Sequence, residues 1–80
     1  MAANLKDLAK ELAKALVDAP DEVECYTEGD EEYVRLELEV AEDDMGRVIG
    51  RSGRTARALR TILNAAAEKN GQRCSLDILE

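Results

Sequence analysis

Leu5, Leu8, Leu12 and Leu16 recur at spacings of three, four and four, which is the period of a helix with one apolar stripe. Lys6, Lys10 and Lys14 fall on another side with Asp7 and Glu11. Asn4 is placed to cap this helix, with Asp7 three residues on to answer the cap's amide. The element should run to about Asp18, because Pro20 lacks an amide hydrogen and biases Ala19 away from helical angles. From Glu22 the period shortens to two: Val23, Cys25 and Thr27 alternate with Glu22, Glu24, Tyr26 and Glu28. Gly29-Asp30 has turn chemistry, and the alternation resumes with Val34, Leu36, Leu38 and Val40 inward against Tyr33, Arg35, Glu37 and Glu39. This is an antiparallel hairpin with an acidic outer face.

Glu42-Asp43-Asp44 places three acids where negative charge favours the start of a short helix whose apolar side is Met45, Val48 and Ile49. Gly50 and Gly53 interrupt it. The helical period then returns with Thr55, Ala58, Leu59, Ile62, Leu63 and Ala66 on the expected buried side, and Ser52 or Gly53 is placed to begin it. Gly71 closes that helix after Lys69, and Cys74, Leu76 and Ile78 alternate as a final strand. The order is α-β-β-α-α-β. The second and last strands are joined through two helices, so as neighbours they run parallel in a right-handed crossover. The fold class is therefore α+β, a three-stranded mixed sheet with all three helices on its one apolar face. No repeat, linker or low-complexity segment divides the chain, and residues 1–80 read as a single domain.

Composition narrows the function. A chain of 80 residues buries only about 60% of its unfolded surface, too little for a deep catalytic cleft. There is no Phe, Trp or His, so the core is aliphatic and thin, and the usual general base and zinc ligand are missing. No nucleophile-base pair is apparent, and the chain reads as a non-enzyme without cofactor or metal. Cys25 and Cys74 stand far apart with no CxxC spacing and read as small hydrophobes. No apolar run has the length of a signal peptide or a membrane span, which gives a cytoplasmic expectation.

The formal charge of -7 speaks against a polyanionic partner until it is divided along the chain. Residues 1–45 hold 4 basic and 15 acidic side chains, whereas residues 46–80 hold 7 basic and 3 acidic. Between Gly46 and Ala67 there are five arginines (Arg47, Arg51, Arg54, Arg57 and Arg60), no lysine and no acid. The two glycines at Gly50 and Gly53 lie inside this stretch. They mark either a plain interhelical turn or a turn that holds a ligand.

The spacing does not fit a P-loop, which needs four residues between its glycines and then Lys, nor the GxGxxG dinucleotide fingerprint. It is Gly-x-x-Gly between two helices, preceded by Val48-Ile49 and followed by an arginine-bearing helix. On Val48-Ile49-Gly50-Arg51-Ser52-Gly53-Arg54, with the element order above, the chain resembles the type II KH domain of bacteria. On its length, its first helix and the Asp44-to-Thr55 run it is similar, over nearly its whole extent, to the single-domain KH RNA-binding proteins of the KhpA family.

The resemblance implies single-stranded RNA as partner, clamped at Gly50, Arg51, Ser52 and Gly53. Arg54 with Arg47 or Arg57 adds phosphate charge, and Val48 and Ile49 contribute wall to an apolar groove for bases. Physically, the glycines allow close approach of a sugar-phosphate backbone, and the amides at the start of the next helix favour an anion. The carboxylates elsewhere are expected to confine RNA to one edge. The resemblance further implies a small RNA chaperone or regulator with roles around cell elongation and division. It also implies homodimers, or heterodimers with a larger Jag-type KH protein. The alternative function is a pairing module with a KH fold whose loop is incidental.

Overall fold

Asn4 opens the first helix, α1 (Leu5–Leu16), by accepting the Asp7 amide on its side-chain oxygen at 3.1 Å, which satisfies one of the donors a helix start leaves unpaired. The structure, a computed structural model, describes residues 4–79, so the ends of the 1–80 domain expectation lie outside the described residues. The helix stops at Leu16, two residues before the predicted end, as Val17 turns extended ahead of Pro20. Its buried stripe is Leu5, Ala9 and Ala13, with Leu8 and Leu12 packed along the flanks and Leu16 38% exposed. The leucine stripe expected from the sequence is thus rotated. Alanines at the contact let the helix axis lie close to its neighbours, and the leucines straddle the seam instead of filling it.

Pro20–Glu22 forms one 3-10 turn with proline at its first position, and strand β1 (Glu24–Gly29) follows. Gly29 adopts φ +100°, and a side chain there would run into the Tyr33 carbonyl. Asp30 closes the hairpin by accepting the amides of Glu32 and Tyr33, both at 2.9 Å. These bonds hold its carboxyl below the usual aspartate range. Strand β2 (Tyr33–Glu39) pairs antiparallel with β1 and parallel with β3 (Arg73–Ile78), giving the order β1-β2-β3. The predicted mixed sheet is observed. Val23, Cys25, Leu36, Leu38, Val40 and Leu76 are buried on its inner face, whereas Thr27 is exposed.

Helix α2 (Met45–Ile49) follows a 3-10 turn at Glu42–Asp44, and α3 (Arg54–Lys69) follows a second at Arg51–Gly53. Both pack with α1 and the sheet around one aliphatic core containing Leu36, Leu38, Val48, Leu59 and Leu63. Each such side chain contributes about 1.5–3 kcal/mol when fully buried. Of the expected buried side of α3, Leu59 and Leu63 are buried and Ala66 packs against the core, with Ala56 and Ala67 buried beside them, whereas Ala58 is exposed and Ile62 is 45% exposed. Arg60, exposed on the flank of this face, donates from its Nε to the Leu76 carbonyl of β3 at 3.2 Å. Ile62, two residues and about 200° further round, is left outside. Gly71, at φ +71°, ends α3 as expected, with Gln72 donating to Ala67 and Gly71 to Glu68. No helix among the described residues is long and apolar enough to cross a membrane.

Among the described residues one polar side chain enters the core. Asp44 is 3% exposed, and its two carboxylate oxygens accept the Asp18 amide at 3.2 Å and the Ala19 amide at 3.1 Å. Arg47 lies 3.6 Å from Asp44 and 2.6 Å from the Asp18 carboxylate. The start of α2 is thereby fastened to the chain leaving α1. Replacing Asp44 with Ala orphans two amides and is expected to lower stability by roughly 3 kcal/mol. Arg47→Ala, which loses mainly an exposed pair, should cost under about 1 kcal/mol. Urea unfolding of both variants checks this, and equal losses would show that the ion pair rather than the amide bonds holds the junction.

Candidate nucleic-acid interface

Helix α2 has only five residues, and Val48, completely buried, is its anchor in the core. The next residue but one is Gly50, whose amide closes the last turn on Gly46 at 2.9 Å and whose backbone then swings to φ +76°, ψ +170°. A side chain at Gly50 would strike Thr55 Oγ1 and come within 2.8 Å of the Thr55 amide nitrogen. The first turn of α3 therefore occupies the space glycine leaves. Gly53 differs: it too has positive φ, +73°, but nothing lies within 4 Å of where its Cβ would be. The expectation that both glycines clear room for a ligand thus holds in geometry only for Gly53.

Ser52 is the one non-glycine with positive φ among the described residues, at φ 57°, ψ 25°. Two successive left-handed residues, Ser52 and Gly53, reverse the chain and aim it into α3. Holding a serine there costs on the order of 1–2 kcal/mol, and strain of this kind clusters at functional sites. The Gly53 amide bonds Gly50 and the Arg54 amide bonds Arg51, but the Arg51 and Ser52 amides have no backbone partner among the described residues. Gly53 serves as N-cap of α3 without a side-chain bond, and the first turn carries no acid. The positive end of a 16-residue helix is consequently left uncompensated beside the loop.

The five arginines divide by what they touch. Arg51, Arg54 and Arg57 are exposed and make no ion pair among the described residues. Arg54 and Arg57 share the outer side of α3, lining a shallow hollow with Ala58, Thr61 and Ile62. Arg60 is spent on β3, and Arg47 on Asp18 and Asp44. The structure thus brings Gly50, Arg51, Ser52, Gly53, Arg54 and Arg57 together on one edge, while it engages Arg47 behind the loop. Ile49 is half-buried and lines a hollow with Val40, Met45 and Leu79.

Asp44, Asp18 and Thr55 are the supporting residues that the sequence did not single out in these roles. A run of three acids before a helix gives no sign of which one is buried. No group of His, Cys, Asp and Glu among the described residues is arranged to hold a metal ion.

The chain can now be set beside known proteins. A sequence model described as "KhpA/KhpB, KH domain" matches residues 6–78. The RNA-binding protein KhpA of Clostridium acetobutylicum is 47% identical over 75 residues, covering 94% of this chain and 100% of that protein. That of Halalkalibacterium halodurans is 47% identical over 76 residues, with 95% and 100% covered. That of Aquifex aeolicus is 49% identical over 76 residues, with 95% and 96% covered. No solved structure matches the chain significantly. A match of this extent, on a fold with the helix and strand order of a type II KH domain, places the chain in the KhpA/KhpB KH-domain family.

Proposed function

We propose that this chain binds single-stranded RNA on the Gly50–Gly53 loop, acting in the cytoplasm as a small RNA chaperone or post-transcriptional regulator. The observation that carries the reading is three unpaired arginines around a loop with unused amides, at the uncapped start of α3. The relatives named as RNA-binding proteins support the choice of ligand. The Arg51 and Ser52 amides and the Arg51 side chain take one phosphate, and the open side of Gly53 admits the sugar-phosphate chain. Arg54 and Arg57 neutralise the phosphates that follow. Arg47 contributes from behind, by fixing α2 and so the level of Gly50, and Ile49 offers an apolar surface to a base.

Three or four phosphate contacts predict that the logarithm of affinity falls with the logarithm of salt at a slope of roughly -2 to -3. Anisotropy titrations of a labelled oligoribonucleotide between low and physiological salt measure it. Replacing Arg51 and Ser52 together with Asp is expected to abolish binding and to leave the circular dichroism spectrum unchanged, since aspartate tolerates the left-handed conformation at position 52. Retained binding by that folded variant would remove the loop from the site.

A second reading, favoured by the 45% exposed Ile62 beside Ala58 on α3, is that the domain also pairs. The partner is a second copy or a larger Jag-type KH protein. Ile62→Asp should then shift the sedimentation coefficient to that of a monomer without unfolding the chain. An unchanged coefficient would rule that face out as the homodimer seam.

A further inference from the structure

Strand β3 is an edge of the sheet, and half of its backbone groups point away from β2. The Arg73 amide donates to Glu32 and the Leu79 amide to Leu38, each at 2.8 Å, so alternate residues from Arg73 onward face β2. The amides and carbonyls of Cys74, Leu76 and Ile78 therefore face outward. An edge of this kind is a template for another strand. Here α3 partly closes it. Arg60 Nε donates to the Leu76 carbonyl at 3.2 Å, and one helical turn on, the Cys74 thiol donates to Asn64 Oδ1 at 3.5 Å. The recess between these two contacts has a volume of about 200 Å³, below the usual range for a small ligand. The outward amides of Cys74 and Leu76 have no acceptor among the described residues. What this edge fits is another backbone.

The side chains specify which one. Arg73 and Asp77 are exposed on the outer face of the sheet and have no ion-pair partner among the described residues. Both stand two positions from Ser75, so a two-fold axis at Ser75, running β3 antiparallel to a second β3, sets Arg73 of each copy opposite Asp77 of the other. The same register puts Cys74 opposite Leu76 on the inner face and joins the outward amide of each to the carbonyl of the other.

Helix α3 agrees with that axis. Since Arg60 meets Leu76 and Asn64 meets Cys74, Ser75 is level with the midpoint between Arg60 and Asn64. Arg57 and Glu68 lie on the same side of α3 as those two residues, almost equally far from the midpoint, and neither has an ion-pair partner among the described residues. The two-fold brings Arg57 of one copy level with Glu68 of the other. A closed two-fold contact is the commonest form of self-association, and here both charge patterns are complementary to themselves.

We propose that the β3 edge is a surface on which two copies of this chain join their sheets into one, and that Arg60 is the latch that holds it shut. Pairing needs the Leu76 carbonyl, now held by Arg60, for the Cys74 amide of the second copy. The seam is distinct from the pairing face considered above, because Ile62 lies on the far side of α3 from Arg60.

Sedimentation velocity over a range of protein concentrations tests this, with every chain carrying Ile62→Asp so that the other face does not contribute. Arg60→Ala, and Arg60→Met, which keeps the side-chain length without the donor, should each tighten self-association roughly tenfold. Circular dichroism checks that both are folded. Adding Arg73→Asp or Asp77→Arg singly should reverse the gain, and adding both should restore it, because the pair re-forms with its charges exchanged. Exchange of the Cys74 and Leu76 amides should slow as the dimer accumulates. Latch variants that associate no more tightly than their parent overturn the proposal. Weaker association does so too, since it would make Arg60 part of a seam and not its latch. Indifference to the single charge reversals, or no recovery in the exchanged pair, removes β3 from the contact. The Ile62 face is judged separately, by Ile62→Asp against the unsubstituted chain, so either reading can fail without the other.

Discussion

The Asp44 carboxylate sets where α2 begins, and through α2 where everything around the loop lies. A five-residue helix makes too few internal hydrogen bonds to hold its own direction. Its orientation comes from outside, at one end from the buried Val48 and at the other from Asp44 bonded to the Asp18 and Ala19 amides. A buried carboxylate left without such donors would be strongly unfavourable, so the bonds select one arrangement of the α1 exit against the α2 start. Among the described residues no buried side-chain nitrogen or oxygen lacks a partner. The junction therefore positions Gly50 without leaving a residual polar penalty in a thin core.

From that fixed point the two glycines of the loop answer to different constraints. Gly50 is demanded from within, because α3 returns so closely that Thr55 fills the place of a side chain. Gly53 is demanded by backbone angle alone and stays open to whatever comes from solvent. Ser52 between them bears left-handed strain that a plain interhelical turn would have relieved with another glycine. A short loop packed from behind, strained at its apex and open in front is a pre-organised surface. The ordering cost of binding has largely been met in folding.

The order of elements, the mixed sheet and the Gly50–Gly53 loop were legible because they depend on period and on turn chemistry, which are local. Val34, Leu36 and Leu38 alternate with charged neighbours so cleanly that only one register buries them. Helix rotation was less legible. On α1 the leucine stripe holds for Leu5 and not for Leu16, and on α3 for Leu59 and Leu63 and not for Ile62, since alanines at positions 9, 13, 56 and 67 permit close packing that no count of leucines reveals. The fate of each arginine was also hidden. Arg47 and Arg60 resemble Arg54 and Arg57 in sequence, and only the fold brings Asp18, Asp44 and the Leu76 carbonyl to the first two.

The acidity of the chain and an anion-binding loop are compatible because charge acts locally in salt water. At physiological ionic strength exposed charges more than about 8 Å apart are largely screened. A phosphate at the loop therefore responds to Arg51, Arg54, Arg57 and the start of α3 more than to the formal total of -7. The outer sheet face shows how far the acids have been segregated: Glu24 stands directly opposite Glu39, and Glu37 opposite Asp77. Like charges so placed are destabilising, and Arg35 relieves the face through Glu28 rather than by separating those pairs. Concentrating carboxylates there keeps acids out of the loop and the first turn of α3, where a single one would compensate the helix dipole and compete with phosphate for the arginines.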